Sequence, residues 1–307
     1  MKKETQQVKA HSEEYFVESR DFWWNHDFME LMAQRWQLDS VQRVLDVGCG
    51  IGHWGRVLLP LLPEGCTITG IDMEERSVER AREIARGQQK ENQLHYQVGR
   101  AEQLPFSDES FDMVTCQTLL IHLADVPRAL REMVRVLKPG GILVAAEPNN
   151  IVQTLVEDSQ SSSDSIAVKL ARVEFALRME AGKKALGEGH SSVGDLVPGT
   201  MARVGLTGIT VHLNDRSFAS IAPYGTPSEK LLVSELESCL QRGFYGFEKG
   251  VAKRYYLAGG GEECQFEHHW AEVWCKGFER SAAAYRQGIY HGAGGLVFYL
   301  CAGRKQG

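Results

Sequence analysis

Between residues 41 and 147, short apolar runs alternate with amphipathic stretches. Val41 to Val47 is a β-branched run of strand length, ending in Asp46-Val47-Gly48-Cys49-Gly50-Ile51-Gly52. A helical stretch follows, with Trp54, Val57, Leu58, Leu61 and Leu62 on its apolar side. Cys66 to Asp72 reads as a second strand, and Glu74 to Arg86 as a charged amphipathic helix stopped by Gly87. Leu94 to Val98 and Phe111 to Cys116 read as two more strands. Asp125 caps the next helix, whose Val126, Leu130, Met133, Val134 and Leu137 recur at helical spacing. Lys138-Pro139-Gly140-Gly141 ends it, and Ile142 to Ala146 is a fifth strand. Strands and helices alternating at this pitch predict a parallel sheet covered on both faces.

Beyond residue 147 the rhythm loosens. Ser161 to Asp164 is read as a loop and cap, before a helix carrying Ile166, Leu170, Val173 and Leu177 on one face. Ile209 to Leu213 is a sixth strand. Thr226-Pro227-Ser228-Glu229 is a capping box with proline at the first helical position, and Gly243 closes that helix. A long helix around 266–287 carries Phe266, Trp270, Trp274 and Phe278 at a four-residue step, and Leu296 to Ala302 is a last apolar strand.

Composition narrows the class. The 34 Lys+Arg against 40 Asp+Glu leave a net charge of −6, which argues against a nonspecific nucleic-acid binder. Seven cysteines, an odd number with no CxxC pair, suit a reducing cytoplasm. The polar start and the lack of any run of 18 apolar residues predict neither a signal segment nor a membrane span. Of the aromatics, seven fall in 1–40 and thirteen in 216–293, against four in 41–147. The two ends therefore have a different task from the middle.

The glycine-rich loop lies between a strand and a helix, where an open α/β sheet places its ligand. A dinucleotide fingerprint would need glycine where His53 stands, and no GxxxxGK[ST] loop exists. Asp46 instead offers a carboxylate to a cationic amine, and Asp72 offers one to two ribose hydroxyls. The implied ligand is a positively charged nucleoside without a pyrophosphate.

Val44 to Gly52, Gly70-Ile71-Asp72, Ala101-Glu102-Gln103-Leu104-Pro105-Phe106 and Leu137 to Gly141 stand in an order that resembles the class I S-adenosylmethionine-dependent methyltransferases. The nearest flavour is their small-molecule group, which includes ubiquinone and menaquinone methyltransferases. The resemblance covers 41–147 well. It implies a Rossmann-like seven-stranded sheet of order 3-2-1-4-5-7-6 with the last strand antiparallel, bearing an N-terminal helical lid and helical cap insertions. It implies S-adenosylmethionine as cofactor and S-adenosylhomocysteine as product. Asp46, Gly48, Cys49, Gly50 and Gly52 would surround the methionine part, Asp72 the ribose and Met73 the adenine face. Ala101 and Glu102 would border the base, with Gln117 and His122 at the reacting end. The family commonly has an acidic residue where this chain has Arg100, and a guanidinium has no acceptor for the adenine amino group.

The expected reaction is in-line transfer of a methyl group to O, N or C of a small, partly apolar or aromatic metabolite. A hydroxyl acceptor would want a base, and His122, His190 and His269 are the candidates, each with an alternative reading as a structural histidine. Tyr15, Phe16, Trp24 and Trp270 are candidate substrate contacts, against an alternative as core. No metal site is expected, because the Glu263–His268 cluster lacks paired ligand spacings. Nucleic acid and membranes are not expected partners, and the oligomeric state is open. The expected layout is one domain over 1–307: a lid at 1–40, the cofactor sheet at 41–215 with a helical insertion at 150–190, an aromatic cap at 216–293 and the last strand at 294–307. Two other functions fit the same residues: a noncatalytic S-adenosylmethionine-binding regulator, and a methyltransferase acting on a macromolecule.

Overall fold

The computed structural model describes residues 19–307 apart from Arg216 and Phe218. The first helix, α1 (His26–Trp36), buries Met29, Met32 and Trp36 against the sheet. Strands and helices then alternate: β1 (Arg43–Val47), α2 (His53–Leu58), β2 (Thr67–Asp72), α3 (Glu75–Gly87), β3 (Leu94–Val98), β4 (Phe111–Gln117), α4 (Val126–Val136) and β5 (Leu137–Pro148). Four-residue α5 (Asn150–Gln153) opens an insertion containing α6 (Ile166–Ala185) and α7 (Val197–Arg203). After β6 (Leu206–Leu213) comes a cap of α8 (Pro227–Gln241), α9 (Lys249–Ala258), α10 (Glu263–His268), a π-helical stretch at His269–Cys275 and α11 (Lys276–Arg286). The chain returns to the sheet as β7 (Phe298–Lys305).

The sheet order is β3-β2-β1-β4-β5-β7-β6, parallel from β3 through β5, with β7 antiparallel to both neighbours. Because successive strand residues point to opposite faces, each parallel strand feeds two cores. Val44, Ile68, Met113 and Val144 pack under α1, α2 and α3, while Leu45, Val114, Cys116 and Leu143 pack under α4 and α7. The cap and α6 of the insertion share a third, separate core around Phe175, Tyr256, Phe266 and Trp270.

Four expectations need correction. The fifth strand begins at Leu137, directly after α4, and includes Pro139 to Gly141. A Cβ on Gly141 would stand 2.8 Å from the Lys138 carbonyl and 2.9 Å from that of Asp112, so glycine permits the pairing that a breaker signal hides. The last strand runs from Phe298 to Lys305, later than its apolar content suggests. The cap of α6 is Ser165, whose hydroxyl accepts from the Val168 amide at 3.3 Å. Most consequential, the apolar stripe of α6 faces outward: Ile166 is 77% exposed and Leu170 64%. Its inward face is set by glycine instead. A Cβ on Gly182 would stand 1.7 Å from the Tyr255 carbonyl oxygen, and one on Gly259 would stand 2.0 Å from that of Arg178. Backbones this close fix which side of α6 meets α9, and periodicity alone does not register it.

Candidate active site

At the end of β1 the backbone leaves the sheet through Gly48, Gly50 and Gly52, with φ of +71°, +50° and +78°. These values lie in the left-handed region that glycine enters without a Cβ clash. The Gly48 amide donates to the Ile71 carbonyl at 2.7 Å, tying the loop to β2. Asp72 completes the join, accepting from the Gly50 amide through Oδ2 and from the Glu74 amide through Oδ1, both at 2.9 Å. Tyr96 of β3 lies beneath the loop: a Cβ on Gly52 would come within 2.3 Å of its hydroxyl oxygen. Tyr96 was not legible as a site residue. The only sequence signal is Gly70 within β2, whose added Cβ would meet the same ring at 2.5 Å.

Asp46 is 1% exposed. Its Oδ2 accepts from the Gly55 amide at 3.2 Å, while Oδ1 has no hydrogen-bond partner among the described residues. Burial pushes its carboxyl up to about 8, against the Gly55 amide and with the added repulsion of Asp72. An acid held neutral this way gains much from a cation delivered beside it.

On the same face of the sheet, at the end of β4, Gln117 is buried, and its Nε2 has no partner among the described residues. The chain then turns at Thr118 (φ +51°) into a short 3-10 turn at Leu120–His122. Glu147, at the end of β5, holds this turn: its Oε1 accepts from the Leu119 and Leu120 amides at 3.0 and 2.9 Å. Full burial lifts the Glu147 carboxyl to about 7, opposed by those amides. From the insertion, Lys183 Nζ and the His190 amide both donate to the Ile121 carbonyl, at 2.9 and 3.1 Å. Lys183 also donates to Ser191 Oγ, and burial lowers its ammonium to about 8. Glu180 accepts from the Ser191 amide and the Ser192 hydroxyl, and its carboxylate stands 3.7 Å from His190 Nε2. Burial holds the His190 imidazole below its ordinary range. The structure thus brings the His122 and His190 backbones together at the turn that follows β4. The Lys183–Glu180 network that does so has no signal in local spacing, since it joins mid-helix charges to a turn 62 positions away.

The other candidates lie elsewhere. His269 Nδ1 sits 3.1 Å from the Tyr256 hydroxyl at the edge of the third core, and Trp270 is buried within that core against Phe175 and Phe266. Trp24 packs on Trp54 and Phe298, at centroid distances of 5.1 and 5.5 Å, on the sheet. Met73 is 57% exposed at the mouth of β2, Ala101 is buried, and Glu102 Oε2 stands 3.8 Å from Arg100 Nε. Cys49 is buried, with its thiol toward the Gly50 carbonyl. Tyr15 and Phe16 lie outside the described residues.

An open seven-stranded sheet with one antiparallel strand and a glycine loop at its switch point defines a Rossmann-like methyltransferase fold. Residues 38–189 match the methyltransferase domain family. It is 37% identical over 129 residues to the uncharacterized methyltransferase YcgJ of Bacillus subtilis, covering 42% of this chain and 47% of that one. It is 40% identical over 105 residues to the demethylmenaquinone methyltransferase of Staphylococcus aureus, covering 34% and 42%. The chain thus spans about half the length of these relatives. The crystal structure of Bacillus subtilis YcgJ superposes with a TM-score of 0.52 over 92% of this chain and all of that one, at 20% identity, a likeness of fold.

Proposed function

We propose that this chain transfers a methyl group from S-adenosylmethionine to O, N or C of a small, partly apolar or aromatic metabolite in the cytoplasm. The observation that carries the reading is the buried, unpartnered Oδ1 of Asp46 beside three left-handed glycines stapled to Asp72. Bound there, the cofactor supplies a sulfonium whose methyl is open to in-line attack. Asp46 would take the amine and the glycine loop the methionine backbone. Asp72 would hold the ribose, and Met73 would cover the adenine. Arg100 cannot accept from the adenine amino group, and the Glu102 carboxylate beside it takes that place. Gln117 and the clamped turn at Leu120–His122 position the acceptor, and orientation of this kind supplies roughly 7–11 kcal/mol. For a hydroxyl acceptor, His122 or His190 would hold the departing proton, with Glu180 orienting His190. Matched relatives are named a demethylmenaquinone methyltransferase, a ubiquinone/menaquinone biosynthesis C-methyltransferase and a glycine/sarcosine/dimethylglycine N-methyltransferase, which supports a small acceptor.

The test is incubation with methyl-labelled S-adenosylmethionine and a pool of small metabolites, next to titration with S-adenosylhomocysteine. Label in a small molecule is the expected result. Binding without transfer to any pool would favour a regulator, label in protein or RNA a macromolecular acceptor, and absence of binding would overturn the reading.

A further inference from the structure

The amide donors of the glycine loop are largely spent on the protein itself. Gly48 and Cys49 donate to the Ile71 carbonyl at 2.7 and 3.1 Å, and Gly52 donates to that of Cys49 at 2.8 Å. Gly50 donates to Asp72 at 2.9 Å, and beyond the loop the Gly55 amide is held by Asp46 at 3.2 Å. Asp46 answers the ammonium of an amino-acid tail, but the carboxylate on the same carbon needs donors of its own. With these amides committed, a donor for it has to come from elsewhere on this face of the sheet.

Trp24 carries one. Its side chain is 8% exposed, and its Nε1 has no hydrogen-bond partner among the described residues. An indole N–H only donates, so an enclosed one asks for an oxygen. Its place follows from its neighbours. The Trp24 ring lies 5.1 Å from that of Trp54, which directly precedes Gly55 on α2. Trp54 Nε1 donates to Thr115 Oγ1 at 2.8 Å, and Thr115 pairs in register with Asp46. On its other side Trp24 meets Phe298 at 5.5 Å, and Phe298 pairs with Pro148 at the end of β5. The indole is therefore one ring removed from the Asp46–Thr115 pair, at the carboxyl ends of the parallel strands. Trp36 Nε1 is also buried without a partner among the described residues. The Trp36 carbonyl, however, accepts from Arg304, which is level with Ile142, Met113 and Val44 at the opposite end of the sheet. Position, and not the unpartnered indole alone, singles out Trp24.

We infer that the Trp24 indole N–H donates to the carboxylate of the cofactor's methionine tail while Asp46 takes the ammonium. The inference rests on the reading of the site as one for S-adenosylmethionine, and it moves Trp24 from a substrate contact to a cofactor contact. Gln117 Nε2, the other unpartnered donor on this face, precedes the turn after β4 and is left to the acceptor.

The probes are S-adenosylhomocysteine and its decarboxylated analogue, which keeps the amine for Asp46 and lacks the carboxylate. By calorimetry the wild type is expected to bind the first at least about tenfold more tightly. Trp24→Phe is expected to lose about tenfold for S-adenosylhomocysteine and almost nothing for the analogue, so the preference collapses. Trp36→Phe, which removes the buried indole at the far end, is expected to keep it. The wild type also reports without any variant. In protein carrying isotope-labelled tryptophan, the Trp24 indole proton is assigned through its contacts with Phe298. It is expected to move downfield with S-adenosylhomocysteine and to stay in place with the analogue. Equal wild-type affinity for the two ligands overturns the proposal alone, as does an equal loss for both in Trp24→Phe or an indole proton unmoved at saturation. A shift that appears only when an acceptor joins the saturated protein assigns the donor to the acceptor and overturns it equally. Failure of both ligands to bind the wild type overturns the S-adenosylmethionine reading and the proposal with it.

Discussion

Lys183 and Ile121 meet where the insertion rests on the sheet: the ammonium of one donates to the backbone carbonyl of the other at 2.9 Å. Through this bond, a residue late in α6 governs the turn that follows β4. Lys183→Met keeps the length of the side chain and removes the donor. The His190 amide still reaches the same carbonyl, so the turn loosens without unfolding. Amide exchange at Leu119–His122 is expected to quicken at least tenfold, with a loss of about 1–3 kcal/mol in global stability. Hydrogen exchange read by mass spectrometry checks the first, and denaturant titration the second.

Glu147 holds that turn from below, and its raised carboxyl makes the hold depend on pH. A folded carboxyl near 7, above an unfolded value near 4.5, binds its proton more tightly in the native state. Its contribution is therefore complete below about 4.5 and is lost as pH rises through about 7. The wild type is expected to lose stability between pH 5 and 7.5 through this group, on the order of 3 kcal/mol across the full interval. Glu147→Gln keeps an acceptor for the Leu119 and Leu120 amides and removes the titration, so its profile over that range is expected to be flatter. Thermal melts at half-unit steps of pH decide this.

Asp46 links protons to ligand binding in the same way. With its carboxyl near 8 in the free protein, an arriving ammonium group ionises it and expels a proton. S-adenosylhomocysteine is expected to bind more tightly as pH rises from 6 towards 8, by up to about tenfold per unit. The binding enthalpy is expected to change with the ionisation heat of the buffer. Asp46→Asn should lose both dependences along with most of the affinity. Calorimetry in phosphate and Tris, at two pH values, reads all of these.

Gly52 is where a single methyl group does most harm. Alanine there combines a left-handed φ with a Cβ 2.3 Å from the Tyr96 hydroxyl. Gly52→Ala is expected to cost about 2–4 kcal/mol of stability and to abolish S-adenosylhomocysteine binding. Gly87→Ala, at the end of α3 with open space around it, serves as the control expected to change little. Melting temperature and calorimetric titration of the two variants provide the comparison.

How much of this was legible in the sequence follows from the kind of interaction concerned. The alternation of strands and helices and the loop at Gly48–Gly52 were readable because local spacing and turn chemistry encode them, while the sheet order was implied only by the resemblance of the motifs to a family. Asp46 and Asp72 sit at strand ends that periodicity locates. What could not be read depends on contacts between distant segments. Tyr96 comes under the loop from another strand, and Lys183 reaches Ile121 across 62 positions. Which face of α6 turns inward is not written in its periodicity, because Gly182 and Gly259 decide the matter by lacking side chains. The cap aromatics were visible as a cluster, but not that Trp270 would be enclosed by Phe175 from the earlier insertion.

The slot between β5 and β6 is filled by β7, the segment Phe298–Lys305. Every residue of the cap is synthesised before that strand, so the sheet cannot zip shut while the cap is still emerging from the ribosome. Until then β5 and β6 both present bare edges, which invite pairing with other chains. A cap that fails to collapse leaves the ends of the 214–297 excursion far apart and delays closure. Completion of the sheet thus depends on the assembly of the cap that precedes its last strand.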